Sequence, residues 1–173
     1  EIKIGYVNFQ KLLEEAPQTK SAMQSLENEF APRRRELLTM QNDMKAKDEK
    51  FQKEGAVMSE ADRSKTEKTL RDEQREFSRK AGEFQDDAST RRNEEIGKVQ
   101  RYLVTEIQAY ATAQGFDLVL GEGVFYAKGP LDVTANVLAV LATKPATLPA
   151  ASNTPANQAP AGETPGSKEQ PPR

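Results

Sequence analysis

Neither cysteine nor histidine occurs among the 173 residues. The first absence rules out a disulfide scaffold and a thiol nucleophile. The two together remove the commonest soft metal ligands and the commonest general base. A cysteine-free chain by itself fits any compartment. Tryptophan is missing too, and only 36% of residues are hydrophobic. A single large buried core is therefore not expected, whereas an elongated molecule that buries a thin strip is. No apolar run approaches the length needed to cross a bilayer. A net charge of -2 leaves no basic excess of the kind that grips nucleic acid. Phosphate-binding glycine motifs are absent, and Gly121-Glu122-Gly123 reads as a hairpin loop. The acid pairs Asp86–Asp87 and Glu94–Glu95 read as solvated helix surface. No enzyme, cofactor, metal or nucleic-acid partner is expected.

What the chain does have is periodicity. From Met23 onward apolar residues recur in alternating steps of three and four. Met23, Phe30, Leu37, Met44 and Phe51 take a positions, and Leu26, Arg33, Met40 and Lys47 take d positions. A repeat of about 3.5 residues predicts a left-handed supercoil. A second arm repeats the pattern at Leu70, Phe77, Ala81, Phe84 and Ala88, shifts phase, and resumes at Ile96, Val99, Leu103, Ile107 and Tyr110. Gly55 is expected to end the first arm in the left-handed conformation. Ser59 with Asp62 resembles a capping box that opens the second. Gly115 supplies its stop. The spacing thus predicts a helical hairpin over 18–114 with its tip at 55–58. Pro17 belongs at an early turn, and Pro32 is expected to kink the first arm without breaking it.

Seven acids precede a base by four residues: Glu29/Arg33, Asp43/Lys47, Glu49/Lys53, Glu67/Arg71, Glu76/Lys80, Asp87/Arg91 and Glu94/Lys98. Each is expected to support its own helix by about 0.2–0.5 kcal/mol. Gly82, Gly97 and Pro32, together with the polar seam residues Arg33 and Lys47, predict marginal, pliant arms.

Alternating β-branched and aromatic residues predict strands at 2–8, 116–121 and 124–127, the last two joined as a hairpin. Asp132 or Thr134 caps a short helix over 133–142. The fold class is α+β, mostly α: a long antiparallel coiled-coil hairpin on a small β body. Most of the ten prolines fall in 143–173, where Leu148 is the sole large apolar residue, so this tail is expected to be disordered. The strands are too few for a self-sufficient sheet, and their open edges point to self-association. Glu1 in place of Met suggests a removed export signal.

The opening strand with Val7-Asn8, the run Leu26-Glu27-Asn28-Glu29-Phe30, and Phe77, Lys80, Ala81 and Phe84 carry a resemblance. Further along come Asn93-Glu94-Glu95 with Gly97-Lys98, Asp117-Leu118-Val119, and Asp132-Val133-Thr134-Ala135 before Val137-Leu138. In this order the chain resembles the Skp (OmpH-like) family of periplasmic chaperones over 1–142. The resemblance implies a homotrimer in the periplasm. An intersubunit β-barrel would be built with Ile2, Ile4, Val7, Leu118, Leu120, Val124 and Tyr126. The three hairpins would hang from it as tentacles around a cavity that holds unfolded outer-membrane proteins without ATP. Met40, Met44, Phe51, Met58, Phe77 and Phe84 are the candidate client-binding residues. The family's proposed lipopolysaccharide cluster maps onto Lys80, Arg91 and Arg92. The other reading is a static coiled-coil spacer or adaptor that binds one folded partner.

Overall fold

A computed structural model describes residues 1–149. The element order is β1 (Ile4–Tyr6), α1 (Phe9–Glu15), α2 (Pro17–Glu54), α3 (Glu60–Gln114), β2 (Leu118–Leu120) and α4 (Thr134–Ala142), with 3-10 turns at Gly55–Val57 and Gly129–Leu131. The protein is mostly helical, with a small two-stranded sheet. At 1.5 Å per residue the 55-residue α3 is about 80 Å long.

Local chemistry accounts for most boundaries. Asn8 caps α1 by accepting the Lys11 N–H at 3.0 Å. Pro17 occupies the first turn of α2, where its missing N–H costs nothing. Helix α2 then runs unbroken through the exposed Pro32. Ser59 caps α3 by accepting the Asp62 N–H at 3.1 Å, and its hydroxyl donates to the Asp62 carboxylate at 2.6 Å. Gly115 ends α3 at φ 68°, ψ 38°, which a β-carbon would strain. Lys3 reinforces that end: its ammonium reaches the Gln114 carbonyl at 2.6 Å, and its backbone N–H meets the Asp117 carboxylate at 2.7 Å. A cation is favoured at a helix C-terminus.

Two sequence expectations need correction here. Gly55 is right-handed, at φ -59°, ψ -31°, because the chain tightens into a 3-10 turn and reverses only at the extended Met58 and Ser59. Residues 124–127 form no strand, and β2 does not pair with them. Instead β2 runs parallel to β1, with Ile4 opposite Leu118 and Tyr6 opposite Leu120. That pairing carries Val119 onto the hydrophobic core beside Val7, which a hairpin turned away from α3 does not do. A parallel bridge from Tyr6 to Asp132 occupies the other side of β1. Val124–Ala127 is thus left with no strand beside it among the described residues.

The core sits at the body end. Val7, Leu12, Ala16, Val99, Leu103, Val133, Val137 and Leu141 form one buried cluster. Val7, expected as part of an intersubunit body, belongs to this intrachain core at 1% exposure. Thr134 joins β1 to α4, since its hydroxyl accepts the Asn8 N–H at 2.9 Å and donates to Asp132 at 2.5 Å. The disordered tail expected from 143 onward is corrected for its first seven residues. Leu148 packs against the core, Lys144 pairs with Glu106 at 2.9 Å, and buried Gln18 donates to the Leu141 and Pro145 carbonyls, each at 3.1 Å. The proline-rich remainder, 150–173, lies outside the described residues.

Candidate functional site

The two arms meet along a seam whose character changes from root to tip. Near the root it is dry: Leu26 and Phe30 of α2 are buried, and Phe30 meets Phe84 of α3 edge-on at 5.7 Å. The Arg33 guanidinium lies 5.8 Å from both ring centroids. Past Phe30, no described apolar side chain of either arm is fully buried until the turn has been rounded and α3 has returned to Val99.

Ion pairs between the arms stand in for the missing core. Glu29 meets Arg91 at 3.2 Å, Arg33 meets Asp87 at 2.7 Å, Glu36 meets Lys80 at 2.5 Å, and Lys47 meets Glu73. None of the seven same-helix pairs expected from the sequence forms among the described residues. Arg33, Lys47 and Lys80 pair instead with an acid across the seam, Arg91 with Glu29 across it as well as two acids of its own helix, and Lys98 with Glu95 of its own helix. Arg33 and Lys47 are therefore half-exposed latches rather than charges buried at d positions. Arg91 also reaches Glu94 and Glu95, at 3.0 and 3.1 Å, so the expected solvated acids are ligands of a guanidinium. The Lys98 ammonium first, then Arg91, holds the Glu95 carboxyl below its ordinary range against the opposing effect of burial. The hydrogen bond that the Lys80 ammonium donates to the Glu36 carboxylate raises the Lys80 pKa above the usual lysine range.

All the apolar candidates but Phe84 lie beyond the dry part of the seam. Met40, Met44, Phe51, Met58, Phe77 and Phe84 are each half-buried. Met44 and Phe77, with Leu70, floor a groove of about 750 Å³ whose charged rim is Lys45, Arg71, Arg75 and Asp48. The Phe51 ring covers Gly55. Phe84 is turned toward Phe30 and lines a second groove of about 460 Å³ with Met23 and Arg92. The strip is discontinuous and no one cavity gathers all six.

The three candidate cations are likewise dispersed. Lys80 and Arg91 spend their charge on acids of the facing arm, whereas Arg92 is exposed and forms no ion pair among the described residues. In the body, Ile2, Ile4, Leu118, Leu120 and Tyr126 are exposed, and Val124 is half-buried. Sequence reasoning passed over Val57 at the tip, Val104 on α3 and Phe125, all exposed. Phe125 carried a signal, because a phenylalanine inside a β-rich run bounded by turns asks for a partner.

Among the described residues no helix is long and apolar enough to cross a membrane. Comparisons with known proteins point one way. The family model for outer membrane protein (OmpH-like) matches residues 3–141. The chaperone protein Skp of Pectobacterium atrosepticum is 38% identical over 137 residues, covering 79% of this chain and 83% of that one. Skp of Escherichia coli K12 is 36% identical over 138 residues, covering 79% and 84%. The solved structure of an OmpH-like outer membrane chaperone from Caulobacter crescentus superposes with a TM-score of 0.74 at 18% identity, over 86% of this chain and 89% of that one.

Proposed function

The chain belongs to the OmpH-like family, and on that footing we propose that it is an ATP-independent periplasmic holdase for unfolded outer-membrane proteins. It works as a homotrimer gathered at the strand end, with the hairpins enclosing a shared cavity. One observation supports this reading above the others: the outer arms leave their methionines and phenylalanines half-exposed along a seam closed by ion pairs. Flexible thioethers and aromatic rings on a partly wet surface suit many apolar guests held weakly at many points. At the other end, the bare strand residues Ile2, Ile4, Leu118, Leu120 and Tyr126 support assembly through the body.

Contact with lipopolysaccharide or a membrane surface falls under the same reading. Of Lys80, Arg91 and Arg92, only Arg92 has a charge not already engaged, so Arg92→Ala is expected to weaken that contact more than Lys80→Ala, read as retention on lipopolysaccharide-containing vesicles.

Native mass measurement combined with an aggregation assay tests the whole reading. The expected result is a trimer that keeps several unrelated urea-denatured porins in solution without nucleotide. The alternative, a fixed spacer, is favoured by the inter-arm ion pairs, which restrain the hairpin. It predicts no protection of denatured porins and saturable binding of one folded partner.

A further inference from the structure

We infer that Phe125 of one copy seats in the groove between α3 and β2 of a neighbouring copy and anchors the assembly there. This rests on the trimeric reading above and goes beyond it by naming the side chain and its socket.

Phe125 is wholly bare, at 105% exposure, and touches nothing in its own chain that would hold it. The segment around it, Val124–Ala127, has β-forming residues and no strand beside it. Strand β2 has β1 on one side and, among the described residues, no strand on the other. The free edge of β2 and the unpartnered segment thus complement each other, and strand faces then decide where the side chains go. Residues of a strand alternate between two faces. Val119 packs on the core, Leu118 and Leu120 are exposed, and all three line the groove between β2 and α3. A segment added beside β2 with Phe125 in register with Val119 turns Phe125 to the core side of the sheet, and Val124 and Tyr126 to the other.

A socket exists at that place. A groove of about 580 Å³ lies between α3 and β2, its apolar lining including Val104, Ile107, Phe116, Leu118, Val119 and Leu120. Val104 is 45% exposed there, the one exposed large apolar residue of α3. The same chain's Phe125 leaves this groove empty although Glu122, three residues earlier, stands at its rim. The unpartnered segment and the free β2 edge beside the groove belong to every copy, which makes a second copy the proposed occupant. Plug and socket are different patches, so each copy gives one and receives one, the head-to-tail arrangement that closes into a ring.

The absence of cysteine makes the test direct. Val104→Cys and Phe125→Cys each introduce the sole thiol of their chain. Refolded together and oxidised, the two single variants are expected to yield a disulfide-linked dimer that neither yields alone. A mixture that assembles by native mass but forms no cross-link overturns the inference. So does a V104C/F125C chain that closes only on itself. Phe125→Ala, which removes no contact within its own chain, is expected to keep the wild-type circular dichroism and to raise the protein concentration needed for assembly about tenfold or more. An unchanged assembly midpoint for F125A overturns the anchor while leaving the trimer standing. A wild-type protein monomeric at every concentration overturns the assembly reading itself.

Discussion

Asp132 shows how much one side chain near the β body is asked to do. Its carboxylate accepts the Thr134 hydroxyl and the Thr134 N–H, the latter at 2.9 Å, and so opens α4. Those two bonds, the hydroxyl first, hold its carboxyl below the ordinary aspartate range, against the opposing effect of burial. A carboxylate whose folded pKa is depressed lends stability above its unfolded value, near 3.9. That stability is lost as pH falls through the lower folded value. As pH falls below about 4, wild-type protein is therefore expected to lose stability more steeply than Asp132→Asn, compared by urea unfolding across acid pH. Equal slopes would deny Asp132 this role. The sequence offered Asp132 or Thr134 as the cap; Val133 holds that position without a side-chain cap bond, while Asp132, one residue further out, accepts the Thr134 N–H and Thr134 ties the helix to β1. Gly55 was legible as a place but not as a conformation. Its turn stays right-handed, and a β-carbon there would meet the Phe51 ring at an ordinary 3.5 Å.

Among the elements, α2 and α3 were the most legible, because a periodic apolar pattern over many turns has few rival interpretations. Their ion pairs were not. A sequence displays neighbours four residues apart on one helix, and it hides the acid that folding brings across the seam. Glu29 and Arg91 are separated by 62 residues yet bond. The arms' pliancy can be tested at their glycines. A β-carbon at Gly82 meets nothing within 4 Å, and at Gly97 only the end of the flexible Arg101 side chain at 3.4 Å. Neither glycine is kept for space. Gly82→Ala and Gly97→Ala together are expected to stabilise α3 locally by about 1 kcal/mol each and to slow amide hydrogen exchange in the arm. Unchanged exchange would remove the glycines from any account of arm flexibility.

For the molecule as a whole, what the sequence concealed was long-range. Strands β1 and β2 have three residues each and pair across 114 positions, so no local rule announces their parallel register. The segment 143–149 was hidden for another reason: its composition reads as tail, and only the fold shows Leu148 meeting the core, beyond the residues the family model covers. Removing this strap takes away the Lys144–Glu106 pair, the Leu148 contact and one of the two carbonyl partners of buried Gln18. A chain ending at Ala142 is therefore expected to be about 1–3 kcal/mol less stable than one ending at Pro149, measured by chemical denaturation at a fixed protein concentration. Identical midpoints would show that the strap rests on the body without fastening it.

The alternating signs of the arm-to-arm bridges reach further than their modest individual strengths. Sliding one arm by a single turn would set Glu29 against Asp87, acid against acid, where the observed alignment sets each against a guanidinium. Such misalignment is disfavoured by repulsion as well as by lost attraction. Each hairpin consequently has one defined reach. In the proposed trimer the three ends would be of equal length, and the depth of the space between them would be set by where the charges fall along the chain.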